Sequence, residues 1–64
     1  MININTAGPD ELEKLPGIGP VLAADIVSYR DSIRRFEDTE DLMEVKGIGR
    51  KKFEHIKHLI TTGE

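Results

Sequence analysis

The sequence predicts an all-α fold in which two αα-hairpins pack together about a pseudo-two-fold axis. Apolar residues recur at helical spacing, glycine-containing turns interrupt that spacing twice, and the two halves of the chain repeat. The repeat has a spacing of 30 residues, which places Gly17-Ile18-Gly19 on Gly47-Ile48-Gly49 and Leu12 on Leu42. Short repeats rarely bury an apolar face alone, so each half is expected to pack on the other.

The first motif is expected over about residues 9–30, as a short helix, a turn and a longer helix. Pro9 suits a first helical position. This helix must end before Pro16, because the residue preceding a proline avoids the α region. The turn follows, and Pro20 begins a helix that continues to Arg30. The apolar side of that helix is formed by residues at helical spacing: Leu22, Ala23, Ile26, Val27 and Tyr29.

The second motif is expected over about residues 38–60 and repeats the plan of the first. Asp38 is a suitable N-cap for its first helix. After the second turn, an apolar stripe identifies another helix through Phe53, Ile56, Leu59 and Ile60. Residues 61–64 are expected to be a frayed end, and the only β-like pattern is the short start Ile2-Asn3-Ile4. Residues 1–64 are therefore interpreted as a single domain.

Length and composition limit the classes of function. A chain of 64 residues is near the lower size at which a domain folds alone, and this one has no cysteine for disulfides or thiolate metal sites. No apolar run approaches the roughly 20 residues that cross a bilayer. No signal peptide is recognised. The expectation is a small domain stabilised by its apolar core.

Charge is distributed unevenly along the chain. The formal net charge is −3, yet residues 46–58 contain five basic side chains and one acidic side chain. The acidic run of residues 37–44 lies immediately before this basic block. Charge clusters are usually solvated faces. Because the basic block surrounds the second Gly-Ile-Gly turn, a binding role is favoured there.

Both turns have the features of an anion site. Glycine allows the backbone to turn tightly and to approach a ligand closely, and N–H groups at the start of a helix favour negative charge. Arg50, Lys51 and Lys52 are unfavourable at a helix start unless an anion binds there. Ile18 and Ile48 are interpreted as apolar plugs whose backbone also contributes to the site. The candidate phosphate-binding residues are Gly17, Ile18, Gly19, Lys46, Gly47, Ile48, Gly49, Arg50, Lys51 and Lys52.

The segments Leu-Pro-Gly-Ile-Gly-Pro and Val-Lys-Gly-Ile-Gly-Arg-Lys-Lys resemble helix-hairpin-helix motifs. Their tandem arrangement after Ile2-Asn3-Ile4-Asn5-Thr6-Ala7 resembles the C-terminal domain of ComEA-type competence DNA receptors. The resemblance implies a tandem helix-hairpin-helix fold, a SAM-domain-like orthogonal bundle. It also implies binding of double-stranded DNA without sequence preference during DNA uptake. The location implied is extracytoplasmic, in a parent protein that is membrane-anchored or periplasmic.

By the same resemblance, the amides of the two turns would hold phosphates on opposite strands across the minor groove. Two positions depart from the family pattern. Leu22 stands where the family often has lysine, so the first turn is expected to rely on amides alone and the second to lead binding. Ile33-Arg34-Arg35 stands where a small turn such as Asn-Gly-Pro is common. With about four phosphates neutralised, the salt slope would be about −3.6, which predicts weak binding by an isolated domain.

Other functions have weaker support. His55 and His58 have a spacing that metal sites use, but no cysteine or carboxylate cluster accompanies them, so they are interpreted as surface histidines. No nucleotide-binding fingerprint or catalytic triad is found, so no enzyme activity and no cofactor are expected. A monovalent cation in a hairpin, as in some helix-hairpin-helix domains, remains open.

Two alternatives to the DNA-binding function also stay open. A protein-interaction module is suggested by the acidic run of residues 37–44, and the extrinsic photosystem II subunit of this fold is a precedent. The chain would also fit a detached DNA-targeting domain of a DNA repair or processing enzyme.

Overall fold

The computed structural model describes residues 1–63, which form helices around one apolar core. The prediction of an all-α tandem helix-hairpin-helix fold is confirmed. None of the helices in this range has the length and apolar composition to span a bilayer. In chain order the elements are β1 (Ile2–Asn3), α1 (Pro9–Leu12), α2 (Pro20–Ile33), a long 3₁₀ helix (Thr39–Glu44), α3 (Arg50–Ile56), a short 3₁₀ helix (Lys57–Leu59) and β2 (Ile60–Thr61).

The core preserves the sequence repeat in three dimensions. Ile18 and Ile48 are 4% and 2% exposed, which confirms the prediction that they are apolar plugs. The plug from each turn is thus removed from solvent, which gives the backbone of the turn a fixed support. Other buried residues separated by the repeat distance are Leu12 with Leu42, Leu15 with Val45, Ala23 with Phe53, and Ile26 with Ile56.

The two ends of the described chain are joined, which the sequence did not indicate. β1 and β2 pair in parallel, with Ile2 opposite Ile60 and Asn3 opposite Thr61. The side chain of Asn5 donates to the carbonyls of Phe36 at 3.0 Å and Thr62 at 2.8 Å. The expectation of a frayed end is therefore wrong for residues 61 and 62, because their backbone is paired. Residue 64 lies outside the described residues.

The N-terminal segment is also fixed by the second helix. Arg30 Nη1 donates to the carbonyl oxygens of Ile4 at 3.0 Å and Ala7 at 2.7 Å. The preceding residue, Tyr29, stacks on buried Phe36 with ring centroids 6.0 Å apart. The Asn-Ile-Asn-Thr-Ala opening therefore has a structural role, since its backbone and side chains connect the ends of the bundle.

The acidic run contributes to the start of the long 3₁₀ helix. Asp38 is the N-cap, as predicted, and its carbonyl accepts the N–H of Asp41 at 3.0 Å. The Asp41 carboxylate reaches back and accepts the N–H groups of Asp38 at 3.2 Å and Glu37 at 3.1 Å. A carboxylate at a helix start satisfies amides that would otherwise lack partners.

Candidate nucleic-acid interface

Each turn depends on a glycine with positive φ. Gly17 has φ +82° and Gly47 has φ +98°, a region that residues with a Cβ rarely occupy. The second glycine of each turn, Gly19 or Gly49, is extended and is the N-cap of α2 or α3. Each turn therefore presents a tight, mostly exposed backbone loop that leads directly into a helix.

The isoleucine amides are used inside the turns. The N–H of Ile18 donates to the Leu15 carbonyl at 3.1 Å, and the N–H of Ile48 donates to the Val45 carbonyl at 3.0 Å. The expectation that these two amides are offered to phosphate is therefore corrected, because each already has a partner beneath the surface.

The glycine amides remain as candidates for a ligand. Within residues 1–63, no backbone hydrogen bond found in the turns, loops or caps uses the N–H of Gly17, Gly19, Gly47 or Gly49. The amides of Ile18 and Ile48 are therefore used within the turns, whereas the neighbouring glycine amides are the candidates for contact with a ligand.

Each turn is contacted by a side chain from the helix that follows the other turn. The Nζ of Lys52, in the first turn of α3, donates to the Gly17 carbonyl at 3.3 Å. Leu22, at the equivalent place in α2, lies over Gly47, where an added Cβ would be 2.7 Å from Leu22 Cδ2. The two contacts join equivalent positions of the repeat, as expected for two motifs that are related by a pseudo-two-fold axis. The two turns consequently lie side by side on one surface.

This arrangement corrects a second expectation. The first turn was expected to rely on backbone amides alone, because Leu22 occupies the place of a lysine. The positive charge comes instead from the other motif, through Lys52. The sequence separation of 35 residues hides the contact, although the repeat already places Lys52 at the position equivalent to Leu22.

An open groove of about 320 Å³ lies between the first turn and α3. Lys51 and Lys52 contribute two ammonium groups, and His55 lies one helical turn further along the same face. We call this the basic groove, lined by Pro16, Gly17, Lys51, Lys52 and His55. Sequence analysis did not place His55 in the site, although its spacing from both lysines was a usable signal.

The charges beside the basic groove are partly paired. Glu54 accepts a hydrogen bond from Lys57 at 2.8 Å, and its other oxygen lies 3.8 Å from Arg50. The pKa of Glu54 is lowered mainly by the hydrogen bond from Lys57, and the positive charges of Lys57 and Arg50 lower it further. Neither Lys51 nor Lys52 is in an ion pair within the described part of the chain. Both lysines of the basic groove therefore have uncompensated positive charge.

Lys46 occupies a different place from the other basic candidates. It lines a second groove of about 290 Å³ with Asp25, Ser28 and Tyr29 of α2. Under the repeat, Asp25 is the counterpart of His55. The second groove thus has a carboxylate where the basic groove has an imidazole, so Lys46 is less suited to an anion.

The fold, the paired turns and their side-by-side arrangement define a class of protein. A profile of the helix-hairpin-helix motif matches residues 1–61. The chain therefore belongs to the helix-hairpin-helix family.

Among individual proteins, the chain is similar to ComE operon protein 1 of Bacillus subtilis, with 48% identity over 61 residues. That alignment covers 95% of this chain and 30% of the relative. The predicted resemblance to ComEA-type domains is thereby confirmed. An uncharacterized protein of Haemophilus influenzae is 46% identical over 54 residues, which is 83% of this chain and 48% of that protein.

A third relative has the name of an enzyme family. The endonuclease/exonuclease/phosphatase family domain-containing protein 1 of Danio rerio is 50% identical over 56 residues. The match covers 88% of this chain and 10% of that protein. The chain thus spans less than half the length of each of these relatives.

Proposed function

We propose that the domain binds double-stranded DNA through its phosphate backbone, without sequence preference. The observation that carries this proposal is the placement of two glycine turns side by side with a basic groove against the first turn. Phosphate contacts position a protein on DNA but read no sequence. Since the candidate groups are backbone amides and flexible ammonium groups, non-specific binding is the expected behaviour.

The two turns contribute unequally. The second turn leads into α3, which begins with Arg50, Lys51 and Lys52. Two of these side chains line the groove against the first turn, so the same basic cluster serves both turns. The net charge of −3 opposes long-range attraction to DNA. With about four phosphates neutralised, log affinity should fall with log salt at a slope of about −3.6.

The biological setting follows from the similarity to ComE operon protein 1. The domain would act as the DNA-binding part of a longer protein in DNA uptake during competence, outside the cytoplasm. The alignment covers 30% of that relative, which supports the role of a DNA-binding domain within a longer protein. Weak binding by one domain suits this arrangement, because several linked domains raise the overall avidity.

The proposal is tested by fluorescence anisotropy with a short DNA duplex at low salt. The double substitution Lys51→Glu and Lys52→Glu should weaken binding at least about tenfold, because it replaces attraction to phosphate by repulsion. The matched control is Arg34→Glu with Arg35→Glu, which changes the net charge equally at the opposite end of α2. An equal loss in both variants, or no loss in the first, would reject the groove as the DNA contact.

A further inference from the structure

We infer that the basic groove is a composite phosphate site in which the first motif supplies the backbone and the second motif supplies the charge. This inference rests on the proposed function and assigns His55 to the DNA contact. The two motifs would then not bind phosphate independently of each other. One DNA-strand phosphate would be held jointly by the turn at Gly17 and by the side chains of α3.

The contact between Lys52 and Gly17 makes the site suitable for an anion. A bare carbonyl oxygen would repel a phosphate, but the Gly17 carbonyl accepts a hydrogen bond from Lys52 Nζ at 3.3 Å. An ammonium group has three donors, so two remain for phosphate oxygens. Lys52 therefore neutralises the repulsion from the Gly17 carbonyl oxygen, and its ammonium group can still bind a phosphate.

His55 extends the site along α3. It lies three residues after Lys52 and four after Lys51, so all three side chains share a face of the helix. The first turn contributes Pro16 and Gly17, neither of which titrates. Glu54, the acidic neighbour on α3, is engaged by Lys57 and Arg50. Among residues 1–63, no carboxylate lines the groove, which favours a phosphate over a cationic ligand.

His58 provides a matched control for His55. Both histidines are exposed and belong to adjoining helical segments, but His58 does not line the groove. Substitution of either exposed residue leaves the apolar core unchanged. Comparing His55→Gln with His58→Gln therefore separates a local contact from a general change in charge.

The experiment measures duplex binding by anisotropy at about pH 6 and at several salt concentrations. His55→Gln should weaken binding about threefold and reduce the salt slope by about 0.9, the contribution of one phosphate contact. His58→Gln should retain wild-type affinity and slope.

A chemical-shift titration of the same variants tests the composite nature of the site. DNA should perturb the Gly17 amide less in His55→Gln than in the wild type, while the perturbation of Gly47 remains. If His55→Gln matches His58→Gln while the charge reversal at Lys51 and Lys52 still weakens binding at least about tenfold, the composite site is wrong and the proposed function stands. If the wild-type protein binds no DNA at low salt, both are wrong.

Discussion

Backbone conformation at single residues determines the form of this surface. Gly17 and Gly47 take positive φ without a penalty, so each turn can reverse the chain just before a helix. At Gly47 an added Cβ would also lie 2.7 Å from Leu22 Cδ2, so the Leu22 side chain would have to shift. The requirement for glycine at Gly47 therefore has two physical causes, conformation and close packing.

Arg34 shows the cost of the same conformation in a residue with a side chain. It follows α2 with φ 82° and ψ −46°, the positive-φ non-glycine residue among residues 1–63. Such backbone strain costs on the order of 1–3 kcal/mol. Arg34→Gly should therefore raise the free energy of unfolding by about 1 kcal/mol, measured by chemical denaturation.

The control for Arg34 is its neighbour. Arg35→Gly removes the same charge at a position without positive φ, and it should lower stability by about 0.5 kcal/mol through backbone entropy. Equal effects of the two substitutions would show that charge, and not backbone strain, determines stability at this turn.

At the scale of the helices, α2 and α3 exchange contacts across the pseudo-two-fold axis. Lys52 of α3 covers Gly17, and Leu22 of α2 covers Gly47. The geometry is repeated, but the chemistry is not, since one contact is cationic and the other apolar. The grooves on the two sides differ as well, since Lys52 lines the basic groove whereas Asp25 gives the second groove a carboxylate.

Leu22→Lys should transfer the cationic contact to the second turn. The aliphatic stem of lysine can cover Gly47 as Leu22 does, while its ammonium group extends toward the phosphate. DNA affinity should rise about threefold, and the salt slope should become steeper by about 0.9. Anisotropy at several salt concentrations measures both quantities.

Leu22→Gln is the matched control, because it has the same loss of apolar character and no charge. Leu22→Lys should bind DNA more tightly than this neutral variant. Equal affinities would mean that the surface around Gly47 does not approach the DNA backbone.

The sequence was informative wherever the signal is local. Glycine placed both turns, helical spacing identified the apolar faces, and the apolar character of Ile18 and Ile48 predicted that they are buried. Apart from His55, the missed features are contacts between residues distant in sequence. Lys52 and Gly17 are 35 residues apart, and Asn5 and Thr62 are 57 apart. Neither contact is indicated by a local sequence pattern. The positive charge beside the first turn and the joining of the two chain ends could therefore not be predicted.

At the scale of the whole molecule, the joined ends keep the two motifs in one fixed arrangement. β1 pairs with β2, and Asn5 connects residue 36 to the last described segment through hydrogen bonds to Phe36 and Thr62. The joined chain ends thereby hold the two turns relative to each other. Beneath each turn, a buried isoleucine supports the backbone. A rigid placement of this kind reduces the entropy lost when both turns contact one duplex.

The charge distribution of the whole molecule explains why DNA binding should be weak and confined to one surface. The net charge is −3, whereas four of the nine lysine and arginine side chains lie within residues 46–52. Two acidic residues of the opposing run, Asp38 and Asp41, cap the long 3₁₀ helix. Acidic composition therefore limits long-range attraction and leaves the basic groove as the main attractive surface.

A chemical-shift titration of the wild-type domain with a short DNA duplex at low salt shows whether the two turns form one DNA-binding surface. We expect the amides of Gly17, Gly19, Gly47 and Gly49 to shift together with Lys52 and His55, along one common binding curve. Shifts confined to the second turn, or absent from both turns while another surface responds, would contradict the claim that the two turns form one DNA-binding surface.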